Sequence, residues 1–176
     1  FNKKLKYLQF KKKNWRDQLN LSFKADKSYK SKFNFFKKYL IKDNLEYVDY
    51  VKRNIKKNKK ILSIGSGRGV AELKLLDLGY NITLSDIDYP KGLGKLKRNF
   101  KNLKFLKFNI LKNKIKNKYD VIICFNLIYA FDKLTLNRFF KNCKKIVNNK
   151  GVIVISPGSS TLNIYKLIYD IIYFPI

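Results

Sequence analysis

The sequence predicts an α/β domain built on a doubly wound, mostly parallel sheet, and three observations carry that reading. Ile61-Leu62-Ser63-Ile64 is a short, mostly apolar run that reads as a buried parallel strand, and the glycine-rich turn Gly65-Ser66-Gly67-Arg68-Gly69 follows at once. Val70 to Leu78 then carries apolar residues at helical spacing and stops at Gly79, a plausible C′ residue. A second strand, Asn81 to Ser85, ends in Asp86, about twenty residues after the first glycines, where an acid bonds the two hydroxyls of a ribose. Strand, glycine turn, helix, strand and acid make the first half of a nucleotide-binding unit. Further strands and helices alternate downstream, as a parallel sheet requires.

Taken in order, residues 1–42 are lysine-rich with interleaved aromatics, and Phe33, Phe35, Phe36, Tyr39 and Leu40 are expected on one face of a short helix. This segment reads as a helical lid with its lysines in solvent, or as a platform for stacking bases. Residues 43–176 form the main domain. Asp43-Asn44-Leu45-Glu46 resembles a capping box, and Leu45, Val48, Val51 and Ile55 keep helical spacing up to the first strand. After Asp86, residues 91–100 make a poor helix weakened by Gly92 and Gly94. Leu103 to Phe108 alternates apolar residues with lysine, as expected of a strand towards the sheet edge. Tyr119 to Asn126 reads as the fourth strand. Asp132 caps a helix whose stripe is Leu136, Phe139, Phe140, Cys143, Ile146 and Val147, and Gly151 to Ser156 is the fifth strand. A final helix is expected from about Leu162.

At 176 residues the chain is long enough for one real core. Its net charge of +28 invites a nucleic-acid reading. Yet arginine occurs only at 16, 53, 68, 98 and 138, and lysine carries nearly all the charge. Lys, Asn, Ile, Phe and Tyr are abundant while Ala, Gly and Pro are scarce, a skew that points to an AT-rich genome rather than to evolved phosphate readers, which favour arginine forks. Non-specific adhesion to polyanions follows either way. Cys124 and Cys143 fall in a predicted strand and on a helix stripe, and read as core thiols of a reducing, cytoplasmic compartment. With no histidine, no metal site is expected. The segment Leu162 to Ile176 is apolar but short and carries Lys166 and Asp170, so membrane contact through it is a lesser alternative.

The spacing of the glycines separates two cofactor classes. A dinucleotide fingerprint, G-x-G-x-x-G, needs its third glycine at position 70, which is Val70; here it falls at Gly69. G-x-G-x-G after a strand, with an acid ending the next, resembles motif I of the class I S-adenosylmethionine-dependent methyltransferases. The Tyr119-Asp120 pair opening the fourth strand and the glycine-led Gly151-Val152-Ile153-Val154-Ile155 are similar to that family's later strands. The resemblance covers roughly residues 45–165 and implies a Rossmann-like fold. That fold has two further strands, so the chain is expected to stop short of them after the fifth strand and its helix. With no methionine even at residue 1, it is also expected to begin inside a longer reading frame.

The same resemblance implies a cofactor, S-adenosylmethionine, and the residues that hold it. Gly65, Ser66 and Gly67 are expected at its methionine part, Asp86 at the ribose with Asp88 as substitute, and Ile87 on the adenine face. Asn109 and Ile110 stand after the third strand, where the family often has an acid for the adenine amino group; the Asn109 oxygen still accepts. Ser63 stands where the family usually has an acid, which leaves the methionine ammonium without its expected partner. Asn126 and Leu127 are expected to border the methyl group, and Tyr129 stands where family members often have a catalytic histidine. The leading reading is methyl transfer to a small-molecule acceptor. RNA or protein methylation is the first alternative, although Asn126-Leu127-Ile128-Tyr129 is not the N/D-P-P-Y/F signature of base amino methylation and neither cysteine follows a proline. A non-catalytic scaffold with a degenerate site, supported by Ser63 and Asn109, is the second.

Overall fold

The structure, a computed structural model, describes residues 26–128 and 131–156. Five strands, β1 (Ile61–Ile64), β2 (Ile82–Asp86), β3 (Lys104–Lys107), β4 (Tyr119–Phe125) and β5 (Val147–Ser156), form one sheet in the order β3-β2-β1-β4-β5. Every neighbouring pair is parallel. All strands therefore end at the same edge, and the chain reverses its direction of travel between β1 and β4. Beside the carboxyl ends of those two strands lies the crevice where open α/β sheets bind ligands.

Helices α1 (Lys32–Tyr39), α2 (Lys42–Asn54), α3 (Val70–Asp77) and α4 (Leu93–Asn99) contribute to one core, which includes Phe35, Val48, Val51, Leu73, Leu75 and Leu96. Helix α5 (Lys133–Ile146) packs Phe139, Cys143 and Ile146 into a second core on the opposite face. β1 lies between β2 and β4, and all four of its residues are buried, which is why the run reads as continuously apolar apart from Ser63. β3 is an edge strand, with its lysines exposed and Phe105 and Leu106 half-buried, as its alternation predicts.

Several local expectations are corrected. The cap of α2 is Ile41, not Asp43. The Ile41 N–H donates to Asn44 Oδ1 at 3.2 Å, and Glu46 instead faces Lys42 one turn away. Leu45, expected on the buried stripe, is 42% exposed, because two successive i+3 steps leave it about 120° off the direction of Val51 at 3.6 residues per turn. Phe33 is likewise outside the face predicted for α1, at 72% exposure against 0% for Phe35. Gly92 stands at the N-cap of α4 rather than inside it. Val147 belongs to β5 and not to the helix before it; a register shift between Tyr119 and Val121 absorbs residues 148–151. Asp132 caps α5 as expected, its Oδ1 accepting from the Thr135 N–H at 2.7 Å. The helix expected from Leu162 lies outside the described residues.

A boundary drawn at residue 42 does not separate two cores. Tyr29, on a 3-10 turn (Lys27–Lys30), and Phe35 meet edge to face at 5.2 Å, and both share a cluster with β1, β2 and α3. Truncating Phe35 to Ala is expected to cost about 3–5 kcal/mol of global stability. Phe33→Ala is expected to change it by less than about 0.5 kcal/mol. Chemical denaturation of both variants checks the difference.

Candidate active site

The site begins where β1 runs out. Gly65 and Gly69 both have φ of +68°, a region open to glycine. A Cβ on Gly69 would meet Leu84 Cδ2 at 2.3 Å, so this glycine lets α3 sit close on β2. A Cβ on Gly65 would meet Leu127 Cδ2 at 2.7 Å; besides turning the chain, Gly65 makes room for the residue that follows β4 and Asn126. The turn is tied to β2 by the Ser66 N–H, which donates to the Ser85 carbonyl at 2.9 Å, and the Ser66 hydroxyl is buried without a partner.

Asp86 closes this arrangement. Its Oδ2 accepts from the Gly67 N–H at 2.8 Å and its Oδ1 from the Ile87 N–H at 2.7 Å. Each oxygen keeps a second lone-pair direction. Burial raises the carboxyl above the usual aspartate range, against the pull of those two N–H groups. Asp88, the substitute named from the sequence, is exposed and paired with Lys107 at 2.9 Å, so the two acids have different surroundings. Ile87 is 47% exposed directly beyond Asp86.

Asn109 makes an Asx turn after β3, its Oδ1 accepting from the Leu111 N–H at 2.9 Å. Ile110 is 4% exposed in the α5-side core. Asn126 ends β4 with φ of +54°, a conformation that asparagine tolerates. Tyr129 lies outside the described residues.

Three contacts around the site escape sequence reading. Tyr47 of α2 stacks on Phe125 at 4.4 Å and 10°, and its hydroxyl donates to Asn126 Oδ1 at 2.8 Å. The Ser156 hydroxyl donates to the Tyr47 oxygen at 3.1 Å, and the Asn126 N–H donates to the Ser156 carbonyl at 3.1 Å. A helix thus latches the ends of β4 and β5. The i,i+4 spacing of Tyr47 and Val51 hints at a buried side, but nothing local marks a partner 79 residues away. Arg68 lies over the Tyr39 ring at 4.0 Å, which brings the end of α1 to the glycine turn. Glu72, legible only as an acid near a helix start, is 4% exposed, and its Oε1 accepts from the Ser63 hydroxyl at 2.7 Å.

Tyr47→Phe keeps the stack and removes the hydroxyl from Asn126 and Ser156. The expected loss of stability is about 0.5–1.5 kcal/mol. Tyr47→Ala, losing the stack as well, is expected to cost more, and urea titration orders the two.

Comparison with known proteins comes to the same place. No curated protein matches the chain. Among solved structures, the N-methyltransferase NodS from Bradyrhizobium japonicum WM9, in complex with S-adenosylhomocysteine, superposes with a TM-score of 0.58 at 16% identity, over 79% of this chain and 70% of that one. The 1,6-didemethyltoxoflavin-N1-methyltransferase of Burkholderia thailandensis gives 0.58 at 13%, over 65% and 51%. The glycopeptide N-methyltransferase MtfA gives 0.57 at 11%, over 66% of this chain and 54% of its own. The chain therefore spans about half the length of the latter two enzymes. These likenesses are of fold. The family model described as "Methyltransferase domain" matches residues 36–162, most of the sequence and all of the site just described, and the chain belongs to that methyltransferase family.

Proposed function

We propose that this chain binds S-adenosylmethionine at the carboxyl edge of its sheet and transfers the methyl group to a small-molecule acceptor. Asp86 carries the reading. At the end of β2, beside the glycine turn that follows β1, its two oxygens are each oriented by one backbone N–H and each retain a lone pair. That is a donor set for two vicinal hydroxyls. The residues present fit the rest of the molecule: the Gly65–Gly67 backbone for the methionine part, Ile87 for one adenine face, and the remaining lone pair of Asn109 for the adenine amino group. The backbone of Ile110 is left for that end, since its side chain is in the core.

When bound, the cofactor supplies a methyl group on a sulfonium leaving group. The protein's part is alignment, which supplies much of the rate of such a displacement. Asn126 and Leu127, held by Tyr47 and Gly65, border the reacting end, and Tyr129 follows them as the residue that orients an acceptor hydroxyl. A base is needed only where the acceptor must lose a proton. The end of α1, through Tyr39 on Arg68, serves as part of a lid. The glycopeptide and toxoflavin enzymes, named for their acceptors, support the class of acceptor.

The distribution of charge favours this over RNA methylation. In a parallel α/β fold every crossover helix runs back, so helix C-termini gather at the amino edge of the sheet. Lys52, Arg53, Lys97, Arg98, Lys144 and Lys145 lie in last turns, where cations complement the helix dipole. The exposed lysines of loops 56–60 and 101–104 join them. A cavity of about 490 Å³ at this edge, bordered by Lys101 and Lys104, is at the far end of the strands from Asp86. Polyanions adhering here are held away from the methyl donor. The buried thiols suit a cytoplasmic compartment; Cys143 is pushed up to about 12 by burial.

By calorimetry, Asp86→Ala is expected to lose about 1.5–3 kcal/mol of S-adenosylmethionine binding, whereas Asp88→Ala binds as the wild type. The reverse pattern would move the ribose contact to Asp88. A nucleic-acid duplex is expected to bind weakly, without sequence preference and with a steep salt slope. Methyl incorporation into RNA that survives high salt would overturn the small-molecule acceptor.

A further inference from the structure

In a chain of net charge +28, two carboxyls, Asp86 and Glu72, stand at the glycine turn. Among the described residues neither Glu72 nor Asp86 takes part in an ion pair, although lysines pair with Asp26, Glu46, Asp49, Asp77 and Asp88. Arg68, the cation within the turn, is turned onto Tyr39 instead. Glu72 is the more enclosed of the two. It rises from the first turn of α3 beneath the glycines and is bonded to the Ser63 hydroxyl, while the Ser63 carbonyl accepts from the Ser85 hydroxyl at 2.6 Å. A buried acid of this kind is costly unless something compensates its charge. Among the described residues no cation is paired with it, and burial favours its protonated, neutral form.

Resting on the reading above, we propose that Glu72 is the positioning acid of the site: delivered from α3 through Ser63, it provides the negative charge for the cationic methionine end of the bound ligand, and it gives up its proton to solvent when that cation arrives. The carboxyl missing from β1 at Ser63 is thus supplied from the facing helix, within the same hydrogen-bonded cluster. Its other titratable neighbours are Asp86 on β2 and the Cys124 thiol on β4, both acids. Burial and Asp86 hold Glu72 above the ordinary glutamate range. The sign follows. A folded-state pKa above the unfolded value means that the native state keeps the proton longer, so without ligand stability falls as pH rises from the ordinary glutamate range towards the raised one. Ligand binding, which favours the ionised form, strengthens over the same rise.

The test is calorimetry of S-adenosylmethionine binding in buffers of low and high ionisation enthalpy, between about pH 5 and 8, with wild type, Glu72→Gln and Cys124→Ser. Wild type and Cys124→Ser are expected to release on the order of one proton somewhere in this window. Glu72→Gln is expected to release none and to bind roughly tenfold or more weakly, the scale of one lost charge-assisted contact. Ser63→Asp combined with Glu72→Ser, which returns the carboxyl to β1, is expected to recover affinity. Denaturation of ligand-free Glu72→Gln, whose stability should vary less with pH than that of wild type, shows that the variant is folded. Binding heat with the same proton count in wild type and Glu72→Gln overturns this proposal alone. No binding heat from folded wild type overturns the methyl-donor reading, and this proposal with it.

Discussion

The bond from the Gly67 N–H to Asp86 joins the turn after β1 to the end of β2, and much of the site depends on it. For it to form, the two strands must be parallel and in register, Ile64 opposite Ser85, so that the turn and the acid emerge together. The close seat of α3 on β2, allowed at Gly69, holds the turn down on the same side. A single backbone donor thus reports whether sheet, turn and helix are all in place. It also orients one carboxylate oxygen while leaving that oxygen able to accept from a ligand.

Parallel architecture imposes a polarity on everything else. Strand ends with their acids and amides collect at one edge, and the ends of α2, α4 and α5 with their basic residues collect at the other. A lysine excess arising from base composition is tolerated at helix C-termini, where the dipole welcomes it. Residues 65–69 of the glycine turn hold no lysine, although lysine is abundant elsewhere. Among the described residues of this very basic protein, Glu72 and Asp86 take part in no ion pair.

The latch formed by Tyr47, Asn126 and Ser156 shows how a helix outside the sheet controls the geometry of its rim. The aromatic stack on Phe125 fixes the ring, and the hydroxyl then spans two adjacent strand ends. Tyr39 on Arg68 does the corresponding work at the glycine turn. Both aromatic residues come from the segment before β1, so the part of the chain with the least distinctive sequence supports the part with the most.

What the sequence determined by itself was the order of elements and the identity of the residues at the strand ends. Apolar runs, glycine spacing and the acid twenty residues on, about the distance a βαβ unit requires, are local signals, and they place Gly65, Gly67 and Asp86 without any knowledge of packing. Helix faces were less legible. Phe33 and Leu45 have the right character for a core, but at 3.6 residues per turn each falls away from the face that its helix buries. The tertiary structure alone decided the contacts between distant segments: Tyr47 with Asn126, Arg68 with Tyr39, and Glu72 with Ser63. Ser63 looks like a missing acid when β1 is read alone. Only when α3 folds back over the strand does the neighbouring carboxyl come into place, because hydrogen bonds between side chains depend on distances in space that a one-dimensional pattern does not contain.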